Sequence, residues 1–464
     1  MKSLLPLLTV LLCTNLASVL AATAHFGHGH FHKHPTPRRA ATPVNSPLPV
    51  TPFDVATSFL YGNSTIADSA FQGEGKAHLY FTGTRPGPNI DPSTQLPIDV
   101  SFMAQQAGGL ATEYWPADGS VMHFSASDAL DSMKLYWIAK EGAPATQFDT
   151  PGTVYSGRIY VAMDELSFSS TDGTFAQPDP NNLDSPAGRT AFAFIEFTHG
   201  KSVLDPEDMT VNLSFEDWVS LPVGMNVTYT DDNGTESSSS IGGLKPGTVD
   251  NMCDYFATLG SFWPQLCIES NGTRVHVSGP HIYGSINQDP TNEVHTYWDS
   301  YVDMVWNKYT AVNLLIDAQQ DVINSSIITC RVQSSGRYKD YLYCDQGAGA
   351  FSRPTSMDIW TCNSGPFANT DGTVARSAVI PRLCAAFHRS TLHMDGIQPS
   401  AALSPQVYYN YDTTNHFAKA VHNNLMDGMG YAFSYDDVHP DINTNTAGLI
   451  STSNPVRLDI YINA

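Results

Sequence analysis

Positive charge is scarce in this sequence. Only 23 Lys and Arg stand against 45 Asp and Glu, which leaves a formal charge of −22 over 464 residues. A partner built of phosphates needs clustered cations, so a nucleic-acid role is excluded, as is a basic membrane-surface role. Long apolar runs are missing too. The one run near the start, Leu4 to Leu12, is too short to span a bilayer, and RLDIYINA at the C-terminus is not the apolar tail of a lipid-anchor signal. Motifs for several familiar chemistries are absent: HExxH, the GxSxG elbow and a phosphate-cradling Walker loop. GAGAF at 347–351 reads as a Gly-rich turn, and His388, His393, His416 and His422 as ordinary helix-face or core residues. No metal and no cofactor are expected.

What is present points to export. Lys2, the short apolar run and the small residues Ala17, Ala21 and Ala22 read as a signal peptide spanning 1–21. A His- and Pro-rich leader and linker follow over 22–52, with five histidines from His25 to His34 ahead of the pair Arg38–Arg39. This leader reads as a propeptide removed by a dibasic-cleaving protease; a metal-binding tract is the alternative. Cys13 leaves with the signal. The remaining Cys253, Cys267, Cys330, Cys344, Cys362 and Cys384 fit disulfides, and the local spacing of successive cysteines suggests nearest-neighbour pairing among the possible connectivities. Sequons at Asn63, Asn212, Asn226, Asn233, Asn271 and Asn324 agree with a glycosylated product in an extracellular or cell-wall location.

Along the body, short β-branched and aromatic runs alternate with Gly, Pro, Asn and Asp clusters, as in AHLYFTG, MKLYWIA, GRIYVAM and TAFAFIEFTH. This spacing predicts an antiparallel β-sandwich or barrel. Helical patterns appear at TVDNMCDYFATLG, YWDSYVDMVWNKYT, IPRLCAAFHRSTL and TNHFAKAVHNNLM, and a final strand pair is expected around YAFSYDD and VRLDIYI. The fold class is therefore mainly β with a smaller α/β domain inserted and a groove between. The β domain is placed at about 53–245, 310–375 and 430–464, and the α/β part at 246–309 and 376–429.

Chemistry in such a chain falls to carboxylates. Alternation along TAFAFIEFTH puts Phe192, Phe194, Glu196 and Thr198 on one face. Two phenylalanines would partly desolvate Glu196, raise its pKa and suit it to act as a general acid. The other reading of the pattern is a strand-end Glu facing solvent. In SFEDWVSLP, Glu216 and Asp217 point to opposite faces unless a bulge intervenes, and alternation alone does not choose between them.

The stretches GRIY (157–160), FIEFT (194–198), EDWVSLPVG (216–224), YWDSYVDMVWNKY (297–309), MDIWTCNSGPF (357–367), IPRLCAAFHRSTL (380–392) and TNHFAKAVHNNLMDGMGYAFSYDDV (414–438) resemble, in order, the fungal and bacterial β-1,3-glucanases of glycoside hydrolase family 64. The resemblance implies a thaumatin-like β domain, a mixed α/β domain and a wide groove holding β-1,3-glucan. It also implies inverting, endo-acting hydrolysis with Glu196 as acid and Asp217 as base, and a part for Thr198 in positioning sugar or water. Trp218 replaces the usual Phe, and MDEL (163–166) keeps the family's turn only in part. Glu165, Asp299, Asp303, Asp436 and Asp437 are candidates for lining the groove, and Tyr297 and Trp298 for stacking on sugar rings; capping, ion-pair or core roles are the alternatives. The protein is expected to act as a monomer. A non-catalytic thaumatin-like glucan-binding or wall-active protein is the competing functional class.

Overall fold

The computed structural model describes residues 154–164, 166, 169–171, 174–199, 208–231, 233–319, 322, 325–369, 372–399, 405–440 and 446–463, and strand backbones at 56–61, 78–90, 97–107, 111–116, 122–124 and 146–149. The signal and leader segments, MKLYWIA, Asn63, Glu165 and Asn324 lie outside them.

Among these residues the chain is mainly β, with several antiparallel sheets and a few helices. Eight antiparallel strands form the largest sheet, in the order Leu449–Ser453, Asp208–Leu213, Phe192–His199, Val154–Ala162, His78–Ile90, Pro97–Ala107, Ala111–Pro116, Met122–Phe124. A second sheet runs Glu236–Ile241, Val223–Thr230, Pro455–Ile462, Ala56–Tyr61, Thr146–Asp149, and its one parallel pair joins Ala56–Tyr61 to Pro455–Ile462. Side-chain alternation makes both sheets two-sided. Ile159, Val161, Ala193, Ile195 and Phe197 enter the main core together with Val223, Met225, Val227, Leu458 and Ile460. The alternate residues Tyr160, Ala162, Phe192 and Phe194 instead meet Leu166, Ala187 and Trp218 in a smaller cluster on the other face of the large sheet. This second face carries the site described below.

The chain leaves these two sheets after Ile241 and returns at Leu449. The strands within 310–375, assigned from the sequence to the β domain, do not join either of these sheets. Leu314–Asp317, Ile327–Val332, Leu342–Cys344, Gly349–Phe351 and Ile397–Gln398 hydrogen-bond among themselves in a separate five-stranded sheet. Helix Thr248–Leu259 stops at Gly260, whose positive φ of 66° suits a residue without Cβ. Helix Val374–His388 is buried on nearly every side, so it shows no amphipathic stripe. Its N-cap Thr373 accepts from Arg376 N, and the Arg376 side chain donates to the carbonyls of Ala348, Ala350 and Pro366. The cysteines pair as nearest neighbours: Cys253–Cys267, Cys330–Cys344 and Cys362–Cys384.

YAFSYDD is a turn and not the expected strand. Asp436 Oδ2 accepts from Ala432 N at 3.0 Å and His422 Nε2 at 2.8 Å, while Oδ1 accepts from Arg389 Nη2 at 2.9 Å. These bonds curl the segment around a fully buried carboxylate. Burial by itself would push Asp436 up, but His422 and Arg389 outweigh it and hold the group below its ordinary value. Truncating such a carboxylate strands a buried cation. Asp436→Ala should therefore cost about 3–5 kcal/mol, read as a lower midpoint in urea unfolding. Asp303→Ala, which breaks only an exposed pair with Arg353, should leave the midpoint nearly unchanged.

Candidate active site

Glu196 and Arg158 are directly opposite one another on neighbouring antiparallel strands, and their side chains leave the sheet on the face away from the main core. Arg158 donates twice to Glu196 Oε1, from Nη2 at 2.8 Å and from Nε at 3.1 Å. Its third contact goes to Gln177 Oε1. Gln177 in turn donates from Nε2 to Asp217 Oδ2 at 2.8 Å, and His281 Nε2 lies 2.9 Å from Asp217 Oδ1. Glu196 and Asp217 are thus joined through two intervening side chains.

The alternation expected for Phe192, Phe194 and Glu196 holds, yet the wall facing the carboxylate differs from the apolar one anticipated. Arg158 lies over the Phe194 ring, 4.9 Å from its centroid, and presents its charge to Glu196. Burial works against that charge, but Glu196, Tyr160 and Asp217 outweigh it and keep the guanidinium firmly protonated. Trp218, the departure from the usual Phe, fills the space behind: its ring centroid lies 4.8 Å from Phe192 and 5.1 Å from Phe194, and Nε1 donates to Phe192 O.

A bend at Glu216–Asp217 interrupts the extended chain just before the short strand Trp218–Val219. Trp218 then pairs with Ser278, and Gly279 N donates to Asp217 O at 2.7 Å. Gly279 is required by this approach, since a Cβ there would stand 2.3 Å from Glu216 O. Pro280 follows at the first turn of helix Pro280–Ile286, which carries His281 onto Asp217. Although burial would push Asp217 up, its hydrogen bond and charge interaction with His281, then Arg158 and Gln177, bring it down to about 2.

Alternation left open which of Glu216 and Asp217 reaches the site, and the bend at both residues brings the two of them near Glu196. Glu216 interacts through its charge with both Asp217 and Glu196. It accepts from Ser434 Oγ at 2.9 Å and lines a small cavity of about 10 Å³ with His281, His388, Asn415, Phe433 and Ser434. Burial, followed by repulsion from Asp217 and Glu196, pushes its pKa well above the ordinary carboxylate range.

The remaining candidates scatter. Thr198 is buried on the Glu196 strand, and its Oγ1 has no partner among the described residues. Trp298 is fully buried core, which removes it as a sugar-stacking residue. Tyr297 donates to Thr414 O and lines a different cavity of about 450 Å³ with Trp263, Tyr409, Tyr411, Asp412 and Lys419. Asp436 is held by the buried contacts above and is likewise removed from the groove. Asp299 and Asp303 are exposed on helix Asp299–Ala311, and Asp437 has a buried Oδ1 without a partner among the described residues. Of the sequons, Asn233 and Asn271 are exposed at turns, whereas Asn212 and Asn226 are half-buried within strands. The histidines considered for metal are engaged locally: His388 with Asn415 and Ile359 O, His393 with Ser390 O, His416 with Tyr255, and His422 with Asp436. Arg158, Gln177 and His281 were missed; only Arg158 had a signal, lying in GRIY beside a strand already marked for chemistry.

Carboxylates gathered on one face of an antiparallel sheet, with polar side chains between them, define the kind of site glycoside hydrolases use. The family described as β-1,3-glucanase, glycoside hydrolase family 64, matches residues 97–462, and the chain belongs to it. It is 27% identical over 294 residues to a glucan endo-1,3-beta-glucosidase of Cellulosimicrobium cellulans, covering 61% of this chain and 48% of that protein. The chain therefore spans about half the length of the curated relatives it matches. In fold it is similar to a laminaripentaose-producing beta-1,3-glucanase solved in complex with laminaritetraose (TM-score 0.62, 21% identity, 89% of this chain and 99% of that one). It is also similar to a beta-1,3-glucanase domain from Clostridium beijerinckii (TM-score 0.58, 16% identity, 90% of this chain and 100% of that one).

The raised pKa of Glu216 makes a stability prediction. Above about pH 4.3, the ordinary value for Glu, the unfolded chain releases this proton while the folded chain keeps it. Stability contributed by this group thus falls with rising pH up to the folded pKa. Glu216→Gln, which cannot ionise, should melt higher than the wild type at pH 8 and level with it at pH 4.

Proposed function

We propose that this protein is a secreted, endo-acting hydrolase of β-1,3-glucan that works with inversion, Glu196 serving as acid and Asp217 as base. The observation that carries the reading is the chain of side chains Glu196–Arg158–Gln177–Asp217, which links the two carboxyls through hydrogen bonds. Inversion requires room for a water between the base and the sugar, so the pair should stand roughly 6.5–9.5 Å apart. Family membership and the names of the relatives supply the substrate class and the endo mode. The thaumatin-like character of the β domain belongs to the same reading, supported by its antiparallel sheets. The signal-like start of the chain and the paired cysteines support secretion.

In this mechanism Asp217, brought down to about 2, is ionised at any working pH and takes a proton from the attacking water. Glu196 donates to the departing glycosidic oxygen. Both guanidinium contacts fall on Oε1, so Oε2 is the oxygen left to carry and pass on the proton. Arg158 keeps the carboxyl aimed along one direction as the charge on it changes.

Reducing-sugar release from laminarin tests the proposal. Glu196→Gln and Asp217→Asn should each lose about 10²–10⁴-fold in kcat, with folding intact by circular dichroism. On a glycosyl fluoride, whose leaving group needs little acid help, Glu196→Gln should recover far more activity than Asp217→Asn. Near wild-type hydrolysis by Asp217→Asn would end the assignment.

A further inference from the structure

We propose that Glu216 is a positioning residue for the base: acting through a water and His281, it fixes the direction in which Asp217 is hydrogen-bonded. The inference rests on the reading of Asp217 as the base.

Asp217 is ionised and can only accept, so the 2.9 Å contact with His281 requires the proton on Nε2. Where His281 is neutral, this tautomer leaves Nδ1 as an acceptor that needs a donor of its own; the charge interaction that lowers Asp217 belongs to the protonated ring. The small cavity beside His281 is about 10 Å³, the size that holds one water. Around it stand polar groups of Glu216, His281, His388, Asn415 and Ser434, enough partners for a water that makes two to four hydrogen bonds. His388 and Ser434 are engaged elsewhere. His388 Nε2 and Nδ1 lie 2.8 Å from Ile359 O and 2.7 Å from Asn415 Nδ2, and Ser434 Oγ donates to Glu216 Oε2. That leaves the acid form of Glu216 as the group with an O–H to give. It donates to the water, the water to His281 Nδ1, and His281 Nε2–H to Asp217 Oδ1, with each link running from donor to acceptor in one direction.

The charges around Glu216 favour the acid form this relay needs. Asp217 and Glu196 stand on the sheet side, Asp436 and the phenols of Tyr431 and Tyr435 on the C-terminal turn, and His388, held neutral by burial, on its helix. None of them supplies Glu216 with a cationic partner. A carboxyl so placed acts by its proton and not by its charge, as a hydrogen-bond donor to its neighbour.

The test compares Glu216→Leu, which keeps bulk but has no donor, with Glu216→Gln, whose amide still donates, and with Glu216→Ala as a second donorless variant. The kcat/KM against pH profile on laminarin is measured for each. Without the donor, His281 can turn or change tautomer, and Asp217 loses one of the bonds that bring it down. Leu and Ala should then move the acid limb upward and lower kcat by about tenfold, a part of what a general base supplies, with KM within about threefold. Gln should restore the wild-type acid limb and most of kcat. An acid limb unmoved in Leu and Ala, or moved equally in Gln, overturns the proposal and leaves Glu216 a packing residue. Wild-type activity in Asp217→Asn would instead sink the reading beneath it, so the two failures are told apart.

Discussion

Three carboxyls crowd one patch of this protein, and a single guanidinium makes that crowding tolerable. Glu196, Glu216 and Asp217 interact with one another electrostatically, and like charges at such range cannot all persist in a partly desolvated place. Each is settled differently. Glu196 is paired with Arg158; Asp217 receives Gln177 and His281; Glu216, with no cation of its own, keeps its proton. Arg158 is the hinge of this arrangement because its third contact, through Gln177, ties the first carboxylate to the second. Its place follows from strand register: residue 158 is opposite residue 196 and nothing else needs to be arranged.

How much of this could be read from the residues differs from group to group. The face of Glu196 was legible because strand alternation is local and the strand is regular over Phe192–His199. The disposition of Glu216 and Asp217 was not, since it depends on a bend set by the approach of Gly279 from 62 positions downstream of Asp217. Arg158 and His281 escaped for the same reason, being 38 and 64 positions from their carboxylate partners. Trp298 looked like a sugar platform only because exposure cannot be told from an aromatic letter; the structure packs it against Tyr297, Tyr301 and Trp360. Helix Val374–His388 was legible in IPRLCAAFHRSTL although it is buried on nearly every side, whereas Gly349–Phe351 read as a Gly-rich turn and is a strand, and nothing local told which sheet the strands of 314–351 would join.

The site is also shared between parts of the fold with different jobs. The large sheet supplies Glu196 and Arg158 on a rigid, twice-covered surface. The inserted segment brings His281 from a short helix and Ser434 from the turn curled around Asp436. Chemistry placed on the sheet is therefore adjusted from the insertion, and a change deep in the Asp436 turn has a covalent path of two residues to the partner of Glu216.

The disulfides carry a consequence of another kind. Their partners are separated by only 14, 14 and 22 positions. Each bridge closes a small loop, restricting the open chain by roughly 3 kcal/mol, and none fastens one end of the protein to the other. Oxidation can then follow the emergence of the chain from synthesis, with each thiol meeting its partner before more distant competitors exist. The correct pattern is reached by proximity in time, and the large sheets, whose strands come from both ends of the chain, can assemble afterwards without any bridge to undo.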